Sequence, residues 1–261
     1  MSAFEFQRPG EPCWIDLATA DVDRAKAFYG AVFGWEAEAA SAEHHGYFNF
    51  TKNGERIAGC MSKPDPNLPD TWTVYLQTDD AKQTVDEATA AGASTIVDAV
   101  DVDALGTMAI LVDPTGAVVG AWRPGEHKGF GLVGEHGAPG WFELHTREHD
   151  AAVTFYETAF GWTTKPIPDP GMRYTLLADD EQMYAGIMDA SEFLPDGVPN
   201  HWKVYFAVDD TDAAVADIKA AGGTVLMEPV DTPYGRHAEA TDPTGAGFKL
   251  VGPNESMPSA I

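Results

Sequence analysis

The chain opens with a stretch in which apolar and polar residues alternate, PCWIDLAT at residues 12–19, and this period of two predicts a β-strand. After Asp21 the apolar positions are three and four residues apart, which predicts an amphipathic helix through Ala31. Asp21 is suited to cap this helix, and Gly34 can adopt the left-handed conformation that ends it. Three short strand patterns follow, near residues 35–40, 46–52 and 55–62.

A second stretch with the same order of elements begins after the proline-rich connection KPDPNLPD. Its alternation predicts a strand over residues 72–78, and its apolar spacing predicts a helix from about Asp80 to Ala91, ended by Gly92. Three more strand patterns lie near residues 94–98, 107–112 and 117–122. Two β-α-β-β-β units therefore follow one another, and helices on one face of each sheet leave the other face to curve around a cavity.

The whole pattern then occurs a second time. The 22 residues from Trp14 match the 22 residues from Trp141 at 10 positions without a gap, which is an offset of 127. The phrase FY…FGW ends the first helix pattern of both copies, and DPTGA precedes the last strand pattern of both. A recurrence at a nearly constant offset indicates a tandem duplication. We predict an α+β fold of four β-α-β-β-β units in two tandem domains, at residues 11–123 and 138–252, joined by a linker at residues 124–137.

Composition narrows the choice of partners. The 16 basic residues against 41 acidic residues give a net charge of −25, and such a surface repels nucleic acid and anionic membranes. No apolar stretch reaches the roughly 20 residues that a bilayer span needs. The first residues carry no basic stretch followed by an apolar core, so no signal peptide is expected. Cys13 and Cys60 are expected to be reduced thiols in a cytoplasmic protein.

The paired units, the FY…FGW helix ends, the V-x-D-D strand-to-helix junctions and the DPTG phrases resemble the vicinal oxygen chelate superfamily. That superfamily includes glyoxalase I, fosfomycin- and bleomycin-resistance proteins and extradiol dioxygenases. The resemblance covers both copies, and the two fused domains are similar to actinobacterial members labelled hydroxylases. It implies curved mixed sheets that form two cups by pairing the copies, with a small molecule bound inside.

For members that use a metal, the resemblance implies ligands on three strands, counted from the FY phrase, the DD junction and the DPTG phrase. Counting in this chain gives six positions, Trp14, Thr73 and Gly120 in the first copy and Trp141, Lys203 and Lys249 in the second. Indole has no available lone pair, glycine has no side chain, and lysine is normally a cation. We therefore predict no cofactor and no divalent metal at these positions.

Aromatic and polar residues at and near the same positions indicate instead a cup for a ring-bearing small molecule. The cationic groups among them are suited to an anionic or enolate-like ligand. The predicted ligand-binding residues are Trp14, Asp16, Tyr75, Trp141, Lys203, Tyr205, Arg236 and Lys249. In a swapped assembly, one cup would combine Trp14 and Asp16 with Lys203, Tyr205 and Lys249, and the other Trp141, Glu143 and His145 with Thr73 and Tyr75.

Glu143 and His145 form a carboxylate–imidazole pair at two-residue spacing on a predicted cup strand. Such a pair can act as general acid and base, it can bind one side of a metal, and it is also a common hydrogen-bonded pair in a pocket wall. These two residues are the candidate catalytic residues.

Other motifs carry no predicted chemistry. The linker sequence GFGLVG at residues 129–134 matches the dinucleotide-binding fingerprint, but Pro139 and Gly140 follow it where a helix would have to begin. His127 and His136 in the linker, and the His44-His45 pair in a turn-like stretch, are expected to be exposed.

Three functions remain open. The first is a metal-independent cup protein that sequesters a small molecule or assists its conversion. The second is a glyoxalase-like lyase, or a hydroxylase or oxygenase component of natural-product metabolism, that uses Glu143 and His145. The third is a scaffold or surface antigen with vestigial cups. Because one chain already contains both copies, we expect a monomer or a weak homodimer.

Overall fold

The structure of the chain is a computed structural model that describes residues 8–169, 171–178 and 183–257. Residues 1–7, on which much of the expectation about a signal peptide rests, lie outside the described residues. No helix within the described ranges is long and apolar enough to cross a membrane.

The first copy contains two β-α-β-β-β units, as the sequence predicts. Its elements are β1 (Pro12–Thr19), α1 (Val22–Phe33), β2 (Glu36–Ala37), β3 (Phe48–Lys52), β4 (Glu55–Ser62), β5 (Thr71–Gln77), α2 (Ala81–Ala90), β6 (Ser94–Val102), β7 (Gly106–Val112) and β8 (Val118–Pro124).

The second copy repeats this order. Its elements are β9 (Pro139–Thr146), α3 (His149–Phe160), β10 (Thr164–Asp169), β11 (Met172–Ala178), β12 (Met183–Asp189), β13 (His201–Ala207), α4 (Thr211–Ala220), β14 (Thr224–Thr232), β15 (Gly235–Thr241) and β16 (Gly247–Gly252).

The helix ends follow the capping residues that the sequence indicates. The side chain of Asp21 accepts a hydrogen bond from the backbone N–H of Arg24, which satisfies a free donor in the first turn of α1. Gly34 ends α1 with φ of 67°. The helix runs to Phe33, past the predicted end at Ala31, because the chain does not leave the helical conformation until it reaches Gly34.

Each copy forms its own mixed sheet of eight strands, in the order β2-β3-β4-β1-β5-β8-β7-β6 and its equivalent β10-β11-β12-β9-β13-β16-β15-β14. Trp14 is paired with Tyr75, and Trp141 is paired with Tyr205. The swapped arrangement, in which a cup takes strands from both copies, is therefore wrong. A short connection between β4 and β5 lets the two units of one copy pair side by side, so the strands need no partner from the other copy.

The helix-bearing faces of the two sheets pack against each other. Helix α1 contacts α4, α2 contacts α3, and strands β5 and β13 lie close together between them. One hydrophobic core runs through both copies without a break. The opposite faces of the sheets carry Trp14 and Asp16 in the first copy and Trp141 and Glu143 in the second, and these two faces are called the first and the second cup below.

The FY…FGW and DPTG phrases make reciprocal contacts between the copies. The Tyr29 hydroxyl donates to Asp242 Oδ2 of the second copy at 3.1 Å, and the Tyr156 hydroxyl donates to Asp113 Oδ2 of the first at 2.9 Å. In the same reciprocal way, Trp35 Nε1 donates to the carbonyl of Gly137 and Trp162 Nε1 to that of Gly10. The repeated phrases thus hold the two copies together.

Candidate functional site

The same four kinds of side chain lie in each cup. On β1 and β9, the residues that alternate with Trp14 and Trp141 enter the hydrophobic core, so the tryptophans and their neighbouring carboxylates point the other way. The four are Trp14, Asp16, Tyr47 and Tyr75 in the first cup, and Trp141, Glu143, Tyr174 and Tyr205 in the second.

In the second cup the carboxylate of Glu143 is the centre of a buried hydrogen-bond network. Its Oε1 atom lies 2.6 Å from His145 Nε2 and accepts from the Tyr205 hydroxyl at 2.6 Å. Its Oε2 atom accepts from the Tyr174 hydroxyl at 2.8 Å, and Trp141 Nε1 donates to that same hydroxyl. Both oxygens of the buried carboxylate therefore have hydrogen-bond partners within the protein.

A lysine completes this network. Lys249 Nζ donates to the Tyr205 hydroxyl at 2.9 Å and lies 3.8 Å from Glu143 Oε1. Burial by itself raises the pKa of Glu143, but the His145 hydrogen bond and the Lys249 charge outweigh it, and the pKa falls to about 2. Burial and the neighbouring Glu143 charge raise the pKa of Tyr205 well above its usual value. Glu143 is thus ionised and Tyr205 keeps its proton at neutral pH.

A second ion pair lies at the rim of this cup. Lys203 Nζ donates to Glu239 Oε1 at 2.6 Å, and both side chains are mostly buried. The His145 ring lies 5.5 Å from the rings of both Phe193 and His201. Burial lowers the pKa of His201 to about 4, so this imidazole is neutral at physiological pH. The rim therefore combines one compensated cation with the uncharged rings of Phe193 and His201.

An apolar wall and a groove adjoin the network. Tyr174, Leu176 and Ala178 of β11 form a small hydrophobic cluster separate from the main core, and Trp141, Ile167, Met172 and Met188 pack against it. A groove of about 1000 Å³ runs along β10 and β11, and Tyr174 and Phe193 are among the residues that line it. Because these two residues also contact Glu143 and His145, the groove reaches the edge of the polar network.

The first cup has the same aromatic–carboxylate group without the cations. Asp16 Oδ1 accepts from Trp14 Nε1 at 3.0 Å and from the Tyr47 hydroxyl at 2.9 Å. At the positions that correspond to Lys249 and Lys203, this copy has Gly120 and Thr73. Burial therefore dominates, and it raises the pKa of Asp16 despite the hydrogen bonds. The two carboxylates have opposite pKa shifts because only Glu143 has an imidazole and a lysine beside it; the first copy has Ala18 where the second has His145.

Gly59 on β4 and Gly186 on β12, which lie at matching positions of the two copies, make room for Tyr47 and Tyr174. A Cβ atom on Gly186 would lie 1.9 Å from the Tyr174 hydroxyl oxygen, and one on Gly59 would lie 1.9 Å from that of Tyr47. No side chain fits at that distance, so glycine at both positions permits the tyrosine to reach its carboxylate.

The swapped arrangement had divided the residues of the second cup between two sets: the structure places Trp141, Glu143 and His145 of one set with Lys203, Tyr205 and Lys249 of the other. Arg236 is not among them. On β15 it shares the side of the strand with the core residues Ala238 and Ala240, and its guanidinium forms ion pairs with Asp212 of α4 and with Asp231. The prediction grouped Arg236 with the lysines by charge, whereas the period of two places it on the helix face.

Several residues of the cups were missed or misjudged. Tyr47 and Tyr174 occupy matching positions at the offset of 127, and this repeat was a signal that could have identified them. His44 was expected to be exposed, but it is partly buried and its Nε2 lies 3.0 Å from Asp103 Oδ2. His127 was also expected to be exposed, but its ring lies 4.3 Å from that of Trp14. The contact with Trp14 joins distant parts of the chain, which no local pattern reveals.

The residues at the six positions where the resemblance implies metal ligands do not fit a divalent cation. The indole N–H of Trp14 donates to Asp16, and that of Trp141 donates to Tyr174. Lys203 and Lys249 place two ammonium groups in the second cup, where they would repel a metal ion. Within the described residues, no group of three or more His, Cys, Asp and Glu side chains is arranged to hold a metal.

Sequence comparison relates both copies to one superfamily. Residues 138–250 match the Glyoxalase/Bleomycin resistance protein/Dioxygenase superfamily, and residues 14–119 match a glyoxalase-like domain. The putative glyoxylase CFP32 of Mycobacterium tuberculosis is 40% identical over 94% of this chain and 96% of its own length. The anthracycline biosynthesis protein DnrV of Streptomyces peucetius is 35% identical over 97% of this chain and 96% of its own length.

Solved structures show the same fold at low sequence identity. The Mn(II)-bound glyoxalase from Novosphingobium aromaticivorans superposes with a TM-score of 0.67 at 17% identity, over 97% of this chain and 84% of that one. The 2,3-dioxygenase LapB from Pseudomonas sp. KL28 gives 0.65 at 15% identity, over 92% and 91%. The identity and coverage of the sequence relatives, together with the matching architecture, show that the chain belongs to the glyoxalase/bleomycin resistance protein/dioxygenase superfamily.

Proposed function

We propose that the second cup binds a planar, ring-bearing small molecule with an anionic or enolate-like oxygen, without a divalent metal, and either sequesters it or assists its conversion. The position of Lys249 carries this proposal. Its ammonium group lies at a position where a metal-using relative has a ligand, and it is 2.9 Å from the hydroxyl of Tyr205. An ammonium and a phenol side by side are suited to hold a negatively charged oxygen.

The walls of the cup support the ring-bearing part of the proposal. Trp141 is only partly buried, and the aromatic ring of Phe193 is about half exposed, at 52%. Trp141 packs against the small hydrophobic cluster of β11, as Met188 does, and Phe193 lines the adjoining groove with Ile167 and Met172. Flat apolar surface next to a few polar groups is typical of small-molecule sites. DnrV is named for anthracycline biosynthesis, and anthracyclines contain fused planar rings.

Binding of 2-naphthoate, a planar aromatic anion, to the metal-free protein in EDTA tests this proposal. We expect saturable binding at one molecule per chain by isothermal titration calorimetry. Lys249→Met should weaken it by about 10- to 100-fold, because a charge-assisted hydrogen bond contributes roughly 1.5–3 kcal/mol. Lys219→Met is the matched control: it removes the same charge from an exposed ion pair on α4, and it should not change the affinity.

Two results would contradict the proposal. One is an affinity that is lost in EDTA and restored by Mn²⁺ or Zn²⁺. The other is an equal effect of Lys249→Met and Lys219→Met, since that would show that only net charge matters.

The alternative is a glyoxalase-like lyase or a hydroxylase or oxygenase component, which the name of CFP32 and the contact between Glu143 and His145 favour. With a pKa of about 2, Glu143 is a weak base, so in this alternative it orients His145 and the imidazole moves the proton. The test is conversion of the methylglyoxal–thiol hemithioacetal to its thioester isomer, or turnover of polyketide quinones. His145→Gln should abolish such turnover, and His136→Gln in the linker should not.

A further inference from the structure

The two cups differ in how they are closed. The linker residues 125–134, here called the strap, cross one end of the first cup, and two of their rings contact its tryptophan. The ring of His127 lies 4.3 Å from that of Trp14, edge to face, and the ring of Phe130 lies 5.6 Å from it. Trp14 is consequently 3% exposed, whereas its counterpart Trp141 is only partly buried. Among the described residues, no aromatic ring stacks on Trp141.

Backbone hydrogen bonds fix the strap in place. The N–H of Phe130 donates to the carbonyl of Cys13 on β1 at 3.0 Å, and the N–H of Gly131 donates to that of Arg56 on β4 at 2.7 Å. Gly129 has φ of 108°, and a Cβ atom there would lie 2.5 Å from the Cys13 carbonyl oxygen, so only glycine allows this approach. The GFG sequence, which resembles a phosphate-binding loop, therefore serves to lay the strap against the sheet.

A second contact closes the mouth of the same cup. His44, in the loop between β2 and β3, pairs with Asp103, in the turn between β6 and β7, with 3.0 Å between His44 Nε2 and Asp103 Oδ2. These loops belong to the two opposite ends of the sheet order, so the pair bridges them. In the second copy the residue 127 positions after His44 is Gly171, and the turn between β14 and β15 consists of Pro233 and Tyr234, so these residues cannot form an imidazole–carboxylate bridge.

We propose that the strap fills the first cup, so that the chain has one small-molecule site, which lies in the second cup. Removal of the two strap rings, those of His127 and Phe130, then converts the first cup into a site for an uncharged planar molecule. The assignment of the natural ligand to the second cup rests on the proposed function. The ligand class of the opened first cup follows from its own residues. Gly120 and Thr73 leave the buried Asp16 without a lysine, and the guanidinium of Arg56 near His127 is already paired with Glu38 at 3.0 Å, so the carboxylate of Asp16 would disfavour an anion there.

Two matched probes test this, because they carry the same ring system with different charge: 2-naphthoate and 2-naphthol. The indole N–H signals of ¹⁵N-labelled protein report the cup, once Trp14→Phe and Trp141→Phe have identified the two signals. In the wild type, 2-naphthoate should shift the Trp141 signal and neither probe should shift the Trp14 signal. In His127→Ala/Phe130→Ala, 2-naphthol should shift the Trp14 signal at one additional molecule per chain, and 2-naphthoate should not.

Lys128→Ala is the control variant, because this exposed strap residue should leave the wild-type stoichiometry unchanged. A shift of the Trp14 signal by either probe in the wild type overturns the proposal. This measurement uses only the wild type, so it does not depend on whether the double variant folds. A folded double variant, or the milder His127→Ala, that gains no site for 2-naphthol also overturns it. If neither probe shifts Trp141 in the wild type but the double variant gains the Trp14 site, the proposed function fails and the role of the strap stands.

Discussion

The hydroxyl of Tyr29 joins the two halves of the protein, because it donates a hydrogen bond to Asp242 of the other copy while accepting one from Trp72 Nε1 at 3.2 Å. Tyr156 does the same with Asp113 and with Trp202 Nε1. Both tyrosines are fully buried, so each hydroxyl satisfies one donor and one acceptor that have no access to water.

Tyr29→Phe should therefore destabilise the protein by about 2 kcal/mol, since it leaves the Asp242 carboxylate and the Trp72 indole with one partner fewer. Tyr156→Phe should have a similar effect. The measurement is the free energy of unfolding in urea, with Tyr234→Phe as the control at an exposed position (44% exposed). Equal losses for Tyr29→Phe and Tyr234→Phe would contradict the structural role.

Gly186→Ala should destabilise the second copy by about 1–3 kcal/mol, because the added methyl group would overlap the Tyr174 hydroxyl. The same substitution should have little effect when Tyr174 is already alanine, since the obstructing group is then absent. A double-mutant cycle measured by urea unfolding isolates this coupling. Additive effects in the cycle would show that Tyr174 is not the reason for glycine at this position.

The pKa of Glu143, about 2 in the folded chain against 4.5 for a free side chain, gives the stability a pH dependence of known sign. Because the pKa is lower in the folded state, the ionised carboxylate stabilises the fold at pH values above the pKa of the unfolded state. This contribution disappears as the pH falls towards 2. The wild type should lose up to about 3 kcal/mol in this way. Glu143→Gln should be less stable at neutral pH and should show a shallower acid loss in urea unfolding measured below about pH 5. Parallel pH profiles would contradict the lowered pKa.

Asp16 should show the opposite behaviour. Burial raises the pKa of Asp16 in the folded state. Its contribution to stability is therefore present at pH values below the pKa of the unfolded state, and it is lost as the pH rises through the pKa of the folded state. Asp16→Asn keeps the Oδ1 acceptor for Trp14 and Tyr47 but removes the ionisation. The stability of this variant relative to the wild type should therefore increase with rising pH, and thermal unfolding at a series of pH values measures it. A relative stability that falls with pH would contradict the assignment.

Much of the fold was accessible from the sequence because it depends on local patterns. The alternation of β1, the capping residues Asp21 and Gly34 and the repeated phrases are all short-range signals, and the structure confirms the architecture they predict. The partners of those phrases were not accessible. Nothing local indicates that Tyr29 reaches Asp242, 213 residues away.

The strand face that a residue occupies could be predicted from the sequence, whereas the grouping of strands into cups could not. Lys203 and Lys249 stand on regular strands, so the period of two gives the face on which each lies, but it does not show that Trp141 and Glu143 are their neighbours. The first cup is closed by the strap, a glycine-rich segment without a period, and its position depends on hydrogen bonds to Cys13 and Arg56. Such long-range backbone contacts leave no mark in a local pattern.

The reciprocal joining of the two copies within one chain has a consequence for how such a protein can diverge. A dimer of identical subunits must carry every substitution twice, so a lysine gained in one cup would appear in both. Here the position that is Lys249 in one half is Gly120 in the other, while the paired contacts of Tyr29 and Tyr156 are kept alike. Because both copies lie in one chain, the residues of the two cups can change independently of each other, whereas the reciprocal contacts at the interface remain alike. One copy can therefore acquire the residues of a specialised site while the other copy keeps its contacts at the interface.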